Sequence, residues 1–211
     1  MKFDLSLYLV TDSTGLSTDD FLSRVKSACE GGVTLVQLRE KERGGSEYLR
    51  LAKSVKQITD SFGVPLIIDD RADVALAADC AGVHVGSSDL PVCEARKLMG
   101  KNKIVGATAK TVETALSAKA QGADYLGVGA IFPTTTKVKT VLTKVSTLTE
   151  IKKATELPIV AIGGINAGNY EILNSSGADG IAVVSAIMKS DDPERAAKEL
   201  LICSNKMKGI I

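Results

Sequence analysis

Short, mainly apolar runs recur along this chain at nearly even intervals. They cover residues 7–10, 34–38, 65–68, 82–85, 104–107, 125–131, 159–162 and 180–184. Most are continuous rather than alternating, the mark of strands buried on both faces of a parallel sheet. Between successive runs lies room for one helix, and several of these segments have helical period. Ser17-Thr18-Asp19-Asp20 reads as a capped helix start with acids in its first turn. Phe21, Leu22, Val25, Ala28 and Cys29 follow as a stripe ended by Gly31-Gly32. Tyr48, Leu51, Ala52, Val55, Ile58 and Phe62 form a second stripe, closed by Gly63, and Ala115, Leu116, Ala118 and Ala120 lie in a third, closed by Gly122. Asp192-Pro193 is a cap followed by proline at the first helical position, and Ala196, Ala197, Leu200 and Leu201 carry that helix.

Eight strands alternating with helices allow an open doubly wound sheet or a closed (β/α)8 TIM barrel. The count of eight favours the barrel. So does the internal echo of Gly122-Ala123-Asp124 and Gly177-Ala178-Asp179, each leading into a strand. No Gly-x-Gly-x-x-Gly follows the first strand, which weakens the dinucleotide-binding alternative. With no linker or low-complexity stretch, residues 1–211 read as one barrel domain.

Composition narrows the classes. Net charge is +1, so no global field draws in nucleic acid or a membrane surface. No apolar run approaches the ~18 residues of a membrane span. The N-terminus carries no signal-peptide pattern, and Cys29, Cys80, Cys93 and Cys203 show no Cys-x-x-Cys spacing. Both point to a cytoplasmic protein with reduced thiols. His84 is the single histidine, which excludes a multi-histidine metal site.

The candidate chemistry collects where strands end, the place a barrel keeps its active site. Gln37, Arg39 and Lys41 would share one strand face and look like a polyphosphate site. Asp70 and Asp89 follow neighbouring strands and suggest a hard metal held partly by substrate phosphate, as Mg2+ usually is. Gly163-Gly164 after strand seven and Val184-Ser185 after strand eight suggest a phosphate grip. Thr134, Thr136 and Lys137 open a Thr/Lys-rich segment, 132–146, that reads as a lid. His84, mid-strand, reads as a packed, hydrogen-bonded histidine.

Together these motifs resemble thiamine-phosphate synthases: Tyr8-Leu9-Val10-Thr11-Asp12, Gln37-Leu38-Arg39-Glu40-Lys41, Asp69-Asp70, Gly82-Val83-His84-Val85-Gly86 with Asp89, Phe132-Pro133-Thr134-x-Thr136-Lys137, and Gly163-Gly164-Ile165. The resemblance implies a transferase of thiamine biosynthesis. It joins 4-amino-2-methyl-5-hydroxymethylpyrimidine diphosphate to 4-methyl-5-(2-hydroxyethyl)thiazole phosphate, or its carboxylated form, by dissociative substitution. It also implies that Gln37, Leu38, Arg39, Glu40, Lys41 and Lys137 hold the pyrimidine diphosphate, with Arg39, Lys41 and Lys137 catalytic. By the same likeness Asp70 and Asp89 hold Mg2+, and Thr134, Thr135, Thr136, Gly164, Val184 and Ser185 hold the thiazole phosphate. Its partners are then small-molecule substrates, and a homo-oligomer is left open.

Three positions depart from the family pattern. Asp69 stands where asparagine is common, an added charge to be offset by Mg2+ or Arg71. Thr108 replaces a serine and keeps its hydroxyl. Lys110 replaces a histidine, which argues against the related thiazole tautomerase. A third reading, a regulator that binds a thiamine precursor without turnover, would be expected to lose the metal or diphosphate residues, and this chain keeps both sets.

Overall fold

The computed structural model describes residues 3–134 and 141–211. The strands are β1 Leu7–Val10, β2 Leu35–Leu38, β3 Leu66–Asp69, β4 Gly82–Val85, β5 Ile104–Ala109, β6 Tyr125–Gly129, β7 Ile159–Ile162 and β8 Gly180–Val183. The helices are α1 Thr18–Glu30, α2 Gly45–Ser61, α3 Ala72–Ala77, α4 Val92–Met99, α5 Val112–Ala120, α6 Val145–Thr155, α7 Ser185–Met188 and α8 Pro193–Met207, with a 3-10 turn at Tyr170–Leu173. Strand pairing is parallel throughout and runs β1 to β8 in order, with β8 returning to β1. The fold is therefore the closed (β/α)8 barrel expected from the strand count.

The continuous apolar runs have two destinations. One set of side chains, including Leu9, Val36, Leu38, Ile68, Val83, Val105, Leu126, Ala161 and Ile181, packs outward against the helices. The alternate set, Tyr8, Val10, Leu35, Ile67, Ile104, Tyr125, Val160 and Ala182, fills the barrel interior. This is the two-residue period of a strand applied to a sheet buried on both sides.

The caps read from sequence are present. The Ser17 hydroxyl accepts from Asp20 N, and the Asp192 carboxylate accepts from Arg195 N with Pro193 in the first turn. Four helices lacked a stripe signal strong enough to single out, among them α7, which is only four residues long. α3 is only six residues long, and neither α4 nor α6 has a side-chain cap at its start. α6 begins at Val145, so the last two residues of the segment read as a lid are helical. β6 stops at Gly129 rather than residue 131, and beyond its end Ile131 N still donates to Ile162 O of β7.

Gly106 shows how tightly the interior is filled. A Cβ there would lie 2.2 Å from Tyr125 Cζ. Gly106→Ala is expected to overpack the barrel and cost ~1–3 kcal/mol in chemical denaturation. An unchanged denaturation midpoint would show that the Tyr125 ring has room to move aside.

Candidate active site

At the C-terminal ends of the strands lies a cavity of about 190 Å3. Each strand contributes through the residues that continue its inward-facing set. From β2 and the turn after it come Gln37, Arg39 and Lys41, all three lining the cavity as their shared parity required. Leu38 and Glu40, the residues between them, do not line it. Leu38 is wholly buried in the outer core. Glu40 is buried beside the loop after β1, where Oε2 accepts from the Ser13 hydroxyl and from Arg43 Nε, both at 2.8 Å. Its Oε1 has no hydrogen-bond partner among the described residues. Leu38 and Glu40 are expected from the motif to hold substrate with their neighbours; parity turns both side chains to the other face, away from this cavity.

The acids come from β3 and the loop after β4. Asp69, Asp70 and Asp89 all line the cavity. Asp70 sits at φ 61, a left-handed conformation that aspartate tolerates better than most residues. Its N–H donates to His84 O at 2.8 Å, tying the turn after β3 to β4. Lys41 Nζ donates to Asp70 Oδ2 at 2.7 Å and stands 3.8 Å from Asp69 Oδ2, while Arg39 Nε is also 3.8 Å from that oxygen. Arg71 is not the partner expected for Asp69; it forks onto Asp73 at 2.8 and 2.6 Å. Asp89 Oδ2 accepts from Gly86 N at 3.0 Å.

The electrostatics follow from crowding. Burial, and then the neighbouring Asp70 charge, push Asp69 up, against the pull of Lys41 and Arg39. Asp89 is raised by its own burial and by the Asp70 carboxylate. Burial alone would lower Lys41, but the Asp70 hydrogen bond and the surrounding acids outweigh it and leave its pKa raised. The Asp70 carboxylate disfavours ionisation of Asp89, and a divalent cation would offset that repulsion. Among the described residues no cluster of three or more His, Cys, Asp or Glu is placed to hold a metal alone. Mg2+ takes one or two carboxylates and fills its shell with water and phosphate, so Asp70 and Asp89 are the residues that could hold it.

On the far wall are Thr134, Gly163, Gly164, Val184 and Ser185, the last at the start of the short helix α7. Loops after strands seven and eight with a short extra helix are the usual phosphate grip of this barrel. Gly164 has φ 67, and a Cβ there would fall 2.6 Å from Pro133 O and 2.8 Å from Phe132 Cβ. Only glycine lets this turn lie against the loop after β6. Thr135, Thr136 and Lys137 lie outside the described residues.

Beneath the charged mouth is a polar floor that motif reading missed. Gln37 Nε2 donates to Tyr8 OH at 2.8 Å, Tyr8 OH and Tyr125 OH are 2.7 Å apart, and Tyr125 OH lies 3.0 Å from His84 Nδ1. His84 Nε2 is in turn 3.0 Å from Thr108 Oγ1. His84 is packed and hydrogen-bonded, as expected, yet it also lines the cavity, as do Tyr8, Thr108 and Lys110. The signal available in sequence was parity alone: Tyr8, His84 and Tyr125 each fall on the inward set of their strand.

The fold and the site define a (β/α)8 barrel enzyme with a charge-paired mouth and a glycine-lined wall suited to phosphorylated ligands. The family model described as thiamine monophosphate synthase matches residues 7–187. The "Thiamine-phosphate synthase 2" of Streptococcus pneumoniae is 52% identical over 197 residues, covering 93% of this chain and 94% of that one. The thiamine-phosphate synthase of Clostridium tetani is 50% identical, covering 94% and 95%. Among solved structures, thiamine phosphate pyrophosphorylase from Pyrococcus furiosus has a TM-score of 0.88 at 37% identity, covering 96% of each chain. The chain belongs to the thiamine monophosphate synthase family.

Burial lowers His84 from 6.5 to about 4. Between those values the unfolded chain binds a proton that the folded chain does not. Stability from this residue is therefore complete above pH 6.5 and is lost as pH falls toward 4, by ~3 kcal/mol. In denaturant titrations the gap between the wild type and His84→Gln is expected to shrink by that amount from pH 7 to pH 4. A constant gap would mean that His84 is not held neutral.

Proposed function

We propose that this chain is a transferase that joins 4-amino-2-methyl-5-hydroxymethylpyrimidine diphosphate to 4-methyl-5-(2-hydroxyethyl)thiazole phosphate, giving thiamine phosphate and diphosphate. One observation carries the reading. A single cavity presents Arg39, Lys41, Asp70 and Asp89 on the β2–β4 side and Gly163-Gly164 with Val184-Ser185 on the β7–β8 side. Two phosphorylated substrates need two such grips facing one another. The names of the relatives in S. pneumoniae, C. tetani and P. furiosus agree with it.

In this reading Arg39 and Lys41 hold the diphosphate, with Lys137 assigned beside them from its sequence motif. Asp70 and Asp89 hold Mg2+, which when bound would neutralise charge developing on the diphosphate. Thr134, Thr135, Thr136, Gly164, Val184 and Ser185 grip the thiazole phosphate, and Gln37, Asp69 and Thr108 face the pyrimidine. The bond from the pyrimidinyl methylene carbon to the diphosphate oxygen breaks, and the electron pair leaves with diphosphate. The cationic methylene is stabilised by its amino-substituted ring. The thiazole nitrogen then supplies the pair for the new carbon–nitrogen bond. No protein nucleophile takes part; this chain's residues orient both substrates and match the leaving group's charge. Residues 1–211 serve as one catalytic domain. No helix among the described residues is long and apolar enough to cross a membrane, and a cytoplasmic setting fits these small substrates.

Thiamine phosphate is expected only when both substrates and Mg2+ are present, and chelator should abolish its formation. Isomerisation of a thiazole phosphate alone would instead identify a tautomerase. Asp70→Asn and Asp89→Asn should each lower kcat strongly while the melting curve stays cooperative. Full activity of either in excess chelator would remove the metal from the scheme.

Arg39→Lys tests the cation's shape. Lysine keeps the charge but loses the planar fork that meets phosphate in two places. A fall in kcat/KM of about a hundredfold is expected, the cost of one lost preorganised contact to developing charge. Near-normal turnover would show that Arg39 supplies only field.

A further inference from the structure

The polar floor has a direction, and the direction follows from counting protons. Gln37 Nε2 can only donate, so Tyr8 OH accepts from it at 2.8 Å. Tyr8 is buried, and among the described residues the one remaining partner for its own proton is Tyr125 OH at 2.7 Å. Tyr125, also buried, must then pass its proton to His84 Nδ1 at 3.0 Å. The imidazole proton is left on Nε2, which donates to Thr108 Oγ1 at 3.0 Å. Among the described residues the Thr108 proton has no acceptor, and Thr108 lies at the cavity wall. With the Gln37 amide placed as it is, Nε2 toward Tyr8, the reverse order would strand the Tyr8 proton in a buried site, which costs ~1–3 kcal/mol. A cationic imidazole would strand the Tyr125 proton in the same way.

We propose that Tyr8, Tyr125 and His84 are positioning residues that join Gln37 to Thr108 in one directed hydrogen-bond chain, so that the cavity offers an acceptor at Gln37 Oε1 and a donor at Thr108, and selects an aminopyrimidine over a hydroxypyrimidine. The identity of the ring rests on the function proposed above; the direction of the chain does not. With its Nε2 held by Tyr8, Gln37 turns Oε1 to the cavity. An exocyclic amino group can donate to that oxygen, and a ring nitrogen can accept from Thr108. A hydroxypyrimidine in its keto form presents a carbonyl to Oε1, and two acceptors repel. Tyr125 carries this orientation without lining the cavity. It is placed by the gap at Gly106, by an edge contact with Tyr8 and by a tilted ring contact with His84, at ring-centroid distances of 5.9 and 5.5 Å. If Tyr125 loses its hydroxyl, Tyr8 must find another acceptor. The Gln37 amide can supply one by turning over, which points its Nε2 into the cavity.

The single histidine makes the test clean, because one imidazole gives one set of ring nitrogens. In the ligand-free, 15N-labelled full chain at neutral pH, long-range 1H–15N spectra should show His84 as the Nε2–H tautomer. Tyr125→Phe should leave a mixture of tautomers. In coupling assays with Mg2+ this variant should raise the KM for the aminopyrimidine diphosphate about tenfold, the worth of one neutral hydrogen bond. The KM for thiazole phosphate should stay within twofold. Preference for the aminopyrimidine diphosphate over its 4-hydroxy analogue should fall at least tenfold.

Tyr8→Phe breaks the chain at a second link and should reproduce the loss of preference if Tyr125→Phe does not fold. A wild-type His84 protonated on Nδ1 would overturn the direction of the chain. Unchanged KM and preference in a folded Tyr125→Phe would overturn the positioning role. If the wild type couples no substrates at all, the function proposed above and the pyrimidine assignment fail together, while the tautomer still decides the chain's direction.

Discussion

A closed ring of eight parallel strands gives each strand two faces, and only the inner one can meet a ligand. Nearly everything in this molecule follows from that limit. The outer face must be apolar to pack the helices, so Leu9, Val36, Leu38, Ile68 and Leu126 have no freedom to carry chemistry. The inner face is apolar low in the barrel, at Leu35, Ile67 and Ile104, and turns polar toward the mouth, at Gln37, Asp69 and Thr108. The step from core to site is thus two residues along β2 and β3 and four along β5, past Gly106, not a separate structure built on top of the barrel. Cavity-lining glycines at Gly127 and Gly129 mark where the inner face of β6 stays empty; a Cβ at Gly127 would come within 3.2 Å of His84 Cε1.

Charge at the mouth is arranged around the same parity. Arg39 and Lys41 continue the inner set of β2, and Asp69 ends the inner set of β3, so cations and acid meet across one strand pair. In the ligand-free protein they neutralise one another at 3.8 Å, distances that leave Asp69 burial only partly offset. The site therefore rests in a compensated state that a metal and a diphosphate, arriving with opposite charges, can exchange into without leaving a buried charge unpaired. The Asp69 of this chain adds a negative charge that asparagine would not, and the structure places it against the two cations rather than against Arg71.

The barrel itself was legible because a parallel sheet buried on both faces writes an unmistakable pattern: continuous apolar runs, evenly spaced, eight in number. The site was legible only in part. Contiguous motifs mislead at a strand, since Gln37-Leu38-Arg39-Glu40-Lys41 is one stretch in sequence and two faces in space. Parity separates Gln37, Arg39 and Lys41 from Leu38 and Glu40 once the strand is placed. Contacts between strands are harder. Tyr8, His84, Thr108 and Tyr125 come from β1, β4, β5 and β6, and nothing local in any of them specifies a partner. Their hydroxyls and imidazole could be recognised as inward-facing, but the bonds among them depend on barrel register and on the space left by Gly106.

That space links packing to recognition. An all-aliphatic interior would be simpler to fill, and buried tyrosines demand partners for their hydroxyls. Here the demand is met by making the partners a single chain that begins and ends at cavity-lining side chains. Each inner member, Tyr8, Tyr125 and His84, is hydrogen-bonded on both sides, so none of the three can rotate without breaking a neighbour's bond. The floor runs from Gln37 on β2 to Thr108 on β5, while the proposed diphosphate grip occupies the β2–β4 arc and the glycine wall the β7–β8 arc. A ring laid on the floor would lie between the two anion grips, with its orientation set from below and its charged substituents from the sides. Holding a reacting centre from three independent directions is what converts a cavity into a site that positions two molecules for one bond.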